Sequence, residues 1–283
     1  MHDRGQDTVQ SSPRRAHRPA GRRDLDGVVA RGRAAVTVDP TERAVQIRTA
    51  LDEVRARLAA ACTVAQRDPA TVALLPVTKY FPAADAMTLI ELGCRDLGES
   101  REQEASAKVA ACRELGGQEA GRVRWHMLGR VQRNKARAIS RWASTVHSVD
   151  SARLVDALAA ASRAALDAGE RSTPLRVLLQ LSLDGDPARG GVVVDELPAL
   201  ADRVEQAEAV ELVGLMAVPP LGTDPDAAFE TLAGIRAGFL REHPDSTELS
   251  AGMSGDLESA VRHGSTCVRV GTALLGARPI ASR

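Results

Sequence analysis

The chain has 283 residues, 37 basic and 37 acidic side chains, and therefore no formal net charge; 44% of it is hydrophobic, 26% charged and 2% aromatic. A neutral chain poor in aromatics lacks the basic excess and the stacking surfaces that nucleic acids and anionic membrane surfaces select. No apolar run approaches the roughly 20 residues needed to span a bilayer, and the length suffices for one large or two small domains with a substantial core.

In chain order, residues 1–36 come first as an Arg-rich segment (Arg14, Arg15, Arg18, Arg22, Arg23, Arg31, Arg33) with Ser, Pro and Gly and no apolar periodicity. That composition predicts a disordered tail, and it lacks the apolar core of a secretory signal. Order is expected over 37–283, opening at Asp39-Pro40-Thr41-Glu42 with a helix whose apolar positions are Ile47, Leu51, Val54, Leu58 and Ala61. Strand-like runs then end near Lys79, Gly98, Leu128, Val149, Leu183, Val218, Met253 and Gly271. Helix-like stretches fall between them: 84–92, 99–115, 131–141, 152–167, 194–208, 225–241 and 257–262. Regular alternation of this kind implies a parallel sheet, and eight units in about 240 residues predict a closed (β/α)8 barrel. A doubly wound open sheet is the alternative, without the Gly-x-Gly-x-x-Gly fingerprint in its favour.

Only three of the 37 basic residues are lysine: Lys79, Lys108 and Lys135. A guanidinium stays protonated, whereas an ε-amine can lose its proton and attack a carbonyl. Lys79 ends the apolar run Val72-Ala-Leu-Leu-Pro-Val-Thr-Lys79, which predicts a buried strand carrying an amine at its tip. Lys108 and Lys135 lie in charged helical segments and read as solvated surface residues. Lys79 is the candidate Schiff-base lysine.

Barrels of this type keep their chemistry at the C-terminal ends of the strands and bind phosphate after strands seven and eight. Strand seven leads into Ser250-Ala-Gly-Met-Ser254-Gly255-Asp256, where Ser254 is expected to cap the next helix. Strand eight ends Val268-Arg269-Val270-Gly271-Thr272. Either loop alone reads equally as ordinary capping; both together, with a lysine on strand one, favour a phosphate site at Ser254, Gly271 and Thr272. A Schiff-base lysine and a phosphate pocket suit pyridoxal 5′-phosphate (PLP). Arg269 can then reach the pyridine nitrogen, disfavour its protonation and weaken the ring as an electron sink. The other reading of Arg269 is a structural ion pair.

Four widely spaced cysteines (Cys62, Cys94, Cys112, Cys267) without a Cys-x-x-Cys pair read as free thiols in a reducing cytoplasm. The six histidines show no ligand spacing, so no metal site is expected.

Several segments in order give the chain a resemblance to a known family: Val77-Thr-Lys79, Arg95-Asp-Leu-Gly-Glu99, Trp125-His-Met-Leu-Gly-Arg-Val-Gln-Arg-Asn-Lys135, Gly214-Leu-Met-Ala217, and Met253-Ser254 through Gly264-Ser-Thr-Cys-Val-Arg-Val-Gly-Thr272. The chain resembles the pyridoxal phosphate homeostasis proteins, single alanine racemase N-terminal-domain-like (type III PLP) barrels, from about Thr37 to Arg278. The resemblance implies a single-domain barrel with solvent-accessible PLP on Lys79; the protein is expected to be cytoplasmic and a monomer or weak dimer. It implies buffering or delivery of PLP, with apo PLP-dependent enzymes as acceptors, and no dedicated catalysis. His126 and Met216 match positions near the cofactor, with core packing as the alternative for each. Gln132 and Asn134 match too and are expected to serve a helix start. Ser100 stands where the family has asparagine, keeping an oxygen in the pocket and losing an amide donor. Arg189-Gly190-Gly191 replaces a lysine-led glycine motif.

Two enzyme readings compete. A PLP-dependent racemase needs an opposing base, and the single tyrosine, Tyr80, adjoins Lys79 and is expected to face away from it on a continuing strand. A cofactor-free Schiff-base aldolase needs a carboxylate, for which Glu99 and Asp150 are the candidates. A non-catalytic interaction protein fits the neutral surface and leaves Lys79 unexplained.

Overall fold

The computed structural model describes residues 39–278 apart from Pro187, so the Arg-rich segment 1–36 lies outside the described residues. The first helix, α1 (Pro40–Val64), begins where the sequence predicts: Asp39 accepts a hydrogen bond from the Thr41 amide at 2.7 Å, and Pro40 occupies the first turn, where a missing N–H costs nothing. Its buried stripe is Ile47, Leu51, Val54, Leu58 and Ala61. There follow β1 (Ala73–Pro76), α2 (Ala83–Glu91), β2 (Asp96–Glu99), α3 (Glu102–Gly121), β3 (Arg124–Met127), α4 (Ala136–Ile139), β4 (Ala143–Val149) and α5 (Ala152–Asp167). The second half runs β5 (Leu175–Gln180), α6 (Leu197–Glu205), β6 (Val210–Met216), α7 (Pro225–Glu242), β7 (Glu248–Ser250), α8 (Leu257–Arg262), β8 (Cys267–Val270) and α9 (Thr272–Leu275).

All eight strands pair in parallel, in the order β1-β8-β7-β6-β5-β4-β3-β2. The two ends of that order meet as well. Val77 bridges Gly98, and the Thr78 amide donates to the Gly98 carbonyl at 2.9 Å. The sheet is therefore a closed (β/α)8 barrel, and the open doubly wound alternative is excluded.

Two predicted helices are shorter than their apolar pattern. The stretch 194–208 starts as a 3-10 turn (Val194–Glu196) and becomes helical at Leu197, because Pro198 is tolerated only in a helix's first turn. The stretch 131–141 is a 3-10 turn (Arg133–Lys135) followed by the single-turn α4. Gln132 precedes that turn without a side-chain capping bond, and both Gln132 and Asn134 are exposed, so neither supplies the expected helix start.

Most apolar burial lies between the barrel and its helices, around Trp125, Phe229, Leu89, Leu97 and Leu158. A separate small cluster, Leu178, Val213 and Met216, packs apart from it. Gly214 lets β6 approach β7 closely. Its φ is +151°, and an added Cβ would sit 1.9 Å from the Glu248 carbonyl oxygen. All four cysteines are free thiols, and burial pushes the Cys267 thiol up to about 12.

Candidate functional site

The C-terminal ends of β1, β6 and β8, with the loops after β2, β3 and β7, surround a cavity of about 420 Å³. Lys79, Ser100, Met216, Ser254, Arg269, Gly271 and Thr272 all line it, so seven of the eight residues singled out in the sequence converge there. His126 does not. It lies a layer deeper, and His147 on β4 takes the place at the cavity wall. Among the described lining residues there is no aspartate or glutamate, while Lys79, Arg269 and Arg278 supply three cations.

Lys79 reaches the cavity because the strand ends before it. β1 stops at Pro76, and a turn closes with the Phe81 amide donating to the Thr78 carbonyl at 3.1 Å. The turn is anchored from below by a buried ion pair. Lys108 Nζ lies 2.5 Å from Glu99 Oε1 and donates to the Thr78 carbonyl at 2.7 Å, and the Thr78 hydroxyl donates to the same Glu99 oxygen at 2.6 Å. Glu99 is fully buried and its Oε2 has no partner. This corrects the reading of Lys108 as a solvated surface residue: it is 8% exposed and on the core face of α3. Lys135 is half-buried and pairs with Glu102 at 3.2 Å.

Tyr80 also departs from expectation. The strand does not continue through it; its φ is +72°, and it lines the same cavity as Lys79. Lys79 Nζ lies 5.8 Å, Arg101 Cζ 5.2 Å and Arg278 Cζ 4.2 Å from its ring centroid, a set of cation–π contacts at the mouth. Glu99 and Asp150, the carboxylates an aldolase would use, are absent from the lining. Asp150 instead takes a long contact from the Gly191 amide at 3.4 Å.

The loop after β7 is pinned from outside. Arg57 on α1 donates to the Ser254 carbonyl at 2.7 Å and forks onto Glu258. Helix α8 starts after Asp256, two residues beyond the expected Ser254; the Asp256 carboxylate accepts from the Met253 amide instead of capping the helix, and Ser254 lines the cavity. Gly271 packs against β1: a Cβ there would stand 3.3 Å from the Val77 carbonyl oxygen, tighter than side chains normally sit. Arg189, in the motif that departs from the family pattern, pairs with Asp184 at 2.8 Å and donates to the Val218 and Pro219 carbonyls, tying the β5 and β6 loops together.

Arg269 is 6% exposed and makes no ion pair among the described residues, so the structural ion pair considered from sequence is not what holds it. It donates to Ser250 Oγ at 2.7 Å and to the Ala217 carbonyl at 3.1 Å. Ser250 Oγ is 2.9 Å from His147 Nδ1, His147 Nε2 is 2.8 Å from His126 Nδ1, and His126 Nε2 is 3.0 Å from Asp96 Oδ1. Arg124 clamps both Asp96 oxygens, at 2.7 and 2.6 Å. Burial raises the Asp96 carboxyl, but the Arg124 fork and His126 outweigh it and hold the group well below the usual carboxylate range. Burial first, then neighbouring positive charge that includes Arg269 and Arg176, pushes His147 well below the ordinary imidazole value.

These residues fit a phosphorylated aldehyde: an exposed amine, an acid-free wall, a close-packed glycine and a buried guanidinium without a counter-ion. The comparisons agree. Residues 49–279 match the family described as "Alanine racemase, N-terminal domain", which defines the class as a barrel of the racemase type. A pyridoxal phosphate homeostasis protein from Mycobacterium leprae (strain TN) is 53% identical over 242 residues, 83% of this chain and 94% of that one. PipY of Synechococcus elongatus PCC7942, solved with PLP bound, is 33% identical with a TM-score of 0.68, covering 81% of this chain and all (100%) of that one. The D-threonine aldolase of Filomicrobium marinum shares the fold alone, at 20% identity and a TM-score of 0.60 over 83% of this chain and 60% of that one. The chain belongs to the pyridoxal phosphate homeostasis protein family.

Two predictions follow from the buried charges. Lys108→Met leaves Glu99 uncompensated in the core and is expected to lower stability by about 3–5 kcal/mol in urea unfolding; a loss below about 1 kcal/mol would show the pair to be dispensable. His147 stays neutral when folded while the unfolded imidazole takes a proton near pH 6.5, so stability falls as pH drops below that value, by up to about 1.4 kcal/mol per unit. Thermal unfolding from pH 7 to 5 should show a slope that flattens in His147→Gln.

Proposed function

We propose that the protein binds PLP as a Schiff base on Lys79 and serves vitamin B6 homeostasis by buffering the cofactor or passing it to apo PLP-dependent enzymes, in the cytoplasm and as a monomer or weak dimer. The observation that carries this reading is the carboxylate-free cavity holding an exposed amine beside a buried, counter-ion-free arginine. PLP brings an aldehyde that an amine captures and a ring that draws electrons from an attached amine. Ser254, Gly271 and Thr272 hold the phosphate, and the Arg57 clamp keeps the Ser254 loop in place. Arg269 faces the ring nitrogen and, being permanently charged, keeps it unprotonated. Met216 supplies an apolar wall, and Ser100 flanks the ring with a hydroxyl.

The test is the visible absorption of the purified protein beside Lys79→Ala, before and after borohydride. A band present in the wild type, absent in the variant and converted irreversibly by reduction supports the reading. A colourless wild type that takes up no added PLP sinks it.

Tyr80 favours a second reading, a racemase-type activity, because it shares the cavity with Lys79. The homeostasis role without dedicated catalysis predicts that PLP-loaded protein exchanges the Cα hydrogen of L-alanine in D2O no faster than free PLP does. Exchange well above that level which disappears in Tyr80→Phe would establish the racemase reading instead.

A further inference from the structure

Five side chains on five strands form one unbroken hydrogen-bonded line: Asp96 on β2, His126 on β3, His147 on β4, Ser250 on β7 and Arg269 on β8. The line begins at the first residue of β2, at the N-terminal end of the barrel, and ends at the cavity wall. Four of its five members are buried: His126 at 9% exposure, His147 at 1%, Ser250 at 0% and Arg269 at 6%. One set of directions makes every bond in the line at once. Asp96, ionised and clamped by Arg124, only accepts, so His126 donates from Nε2. With its proton on Nε2, His126 accepts at Nδ1, which requires the Nε2–H tautomer of His147. His147 Nδ1 in turn accepts from the Ser250 hydroxyl, whose oxygen accepts from Arg269. Every proton along the line is used, and each donor strengthens the acceptor behind it. The other charged group acting on His147 is Arg176 on β5, which itself pairs with Glu248 on β7.

We infer that Asp96, His126, His147 and Ser250 are positioning residues: a one-way relay that holds the Arg269 guanidinium in a fixed orientation without a carboxylate in contact with it, leaving its remaining donors free for the ring nitrogen of a bound pyridine. A carboxylate placed directly against Arg269 would occupy those donors and add negative charge beside a phosphate. The relay removes the carboxylate to a distance while keeping the arginine oriented. This inference rests on the cofactor reading for its consequence but not for its geometry, which belongs to the ligand-free protein.

The experiment is 15N NMR of the histidine side chains in ligand-free protein, with PLP affinity measured by spectral titration on the same samples. The wild type is expected to show His147 with Nδ1 unprotonated and Nε2 protonated. His126→Leu removes the acceptor that fixes this tautomer, so the His147 Nδ1 resonance should move toward the N–H range, and PLP affinity should fall about tenfold, the scale of one mis-set hydrogen bond to a charged group. Asp96→Asn, at a half-exposed position where folding is more secure, should give the same changes to a smaller extent. A wild-type His147 protonated at Nδ1, or both variants keeping the wild-type tautomer and an affinity within about twofold, would overturn the relay. A wild type with the expected tautomer that binds no PLP would leave the relay geometry intact and overturn the cofactor reading and the relay's purpose with it.

Discussion

The buried contact of Lys108 with Glu99 and Thr78 is the constraint on which the site depends, because it stands at the seam where the barrel closes. The Thr78 amide and the Val77 bridge join β1 to β2, and the ammonium of Lys108 reaches over the seam to the Thr78 carbonyl and the Glu99 carboxylate. A fully buried carboxylate with one partnerless oxygen is costly by itself. Its geometry earns a role by fixing the peptide immediately before Lys79, so that a strand ending in a sharp turn presents its amine at one defined place. The strained Tyr80 backbone follows from the same turn.

Below the cavity the barrel interior is polar where most barrels of this class are filled by aliphatic layers. Asp96, His126, His147, Ser250 and Arg269 replace such a layer, and the small cluster of Leu178, Val213 and Met216 packs apart from the main apolar core. That exchange weakens the interior as a source of hydrophobic stability and moves that task to the annular core under the helices, where Trp125 and Phe229 are buried. The division is useful. The outer core holds the barrel, which leaves the inner one free to set charge.

Much of this was legible in the chain, and the parts that were not have identifiable causes. Alternating apolar runs specified eight strands, and α5 and α8 match their predicted spans residue for residue. Lys79 was visible because arginine had displaced lysine nearly everywhere else. The same argument applied to Lys108, which sits with Ala105, Val109 and Cys112 at helical spacing on one stripe; the charged residues around it concealed that stripe. His147 was passed over because a lone histidine in an apolar strand announces no partner. Its partners come from strand register, and β3 and β4 shift register just before His126, which sequence alone does not reveal. Ser254 reads as a cap because serine favours that place, yet the helix starts only after Asp256, whose carboxylate closes the loop onto the Met253 amide. Tyr80 was misdirected by assuming that an extended run keeps its alternation to the last residue.

The exposure of Lys79 bears on what such a site is suited to do. An enzyme that depends on a covalent cofactor gains by enclosing the bond, since exclusion of water strengthens every electrostatic contact around it and suppresses hydrolysis. Here the amine stands exposed at the mouth while the counter-ion-free arginine is buried beneath it. The deep half of the site is the one placed to orient a ligand; the shallow half would leave a bond at Lys79 open to water and to competing amines. Lys79, Arg101 and Arg278, gathered around the Tyr80 ring, concentrate positive charge at that mouth and draw an anion inward without covering it. On the proposed reading, a bond to Lys79 that is specific below and open above exchanges readily with water and amines, as handing a cofactor on requires.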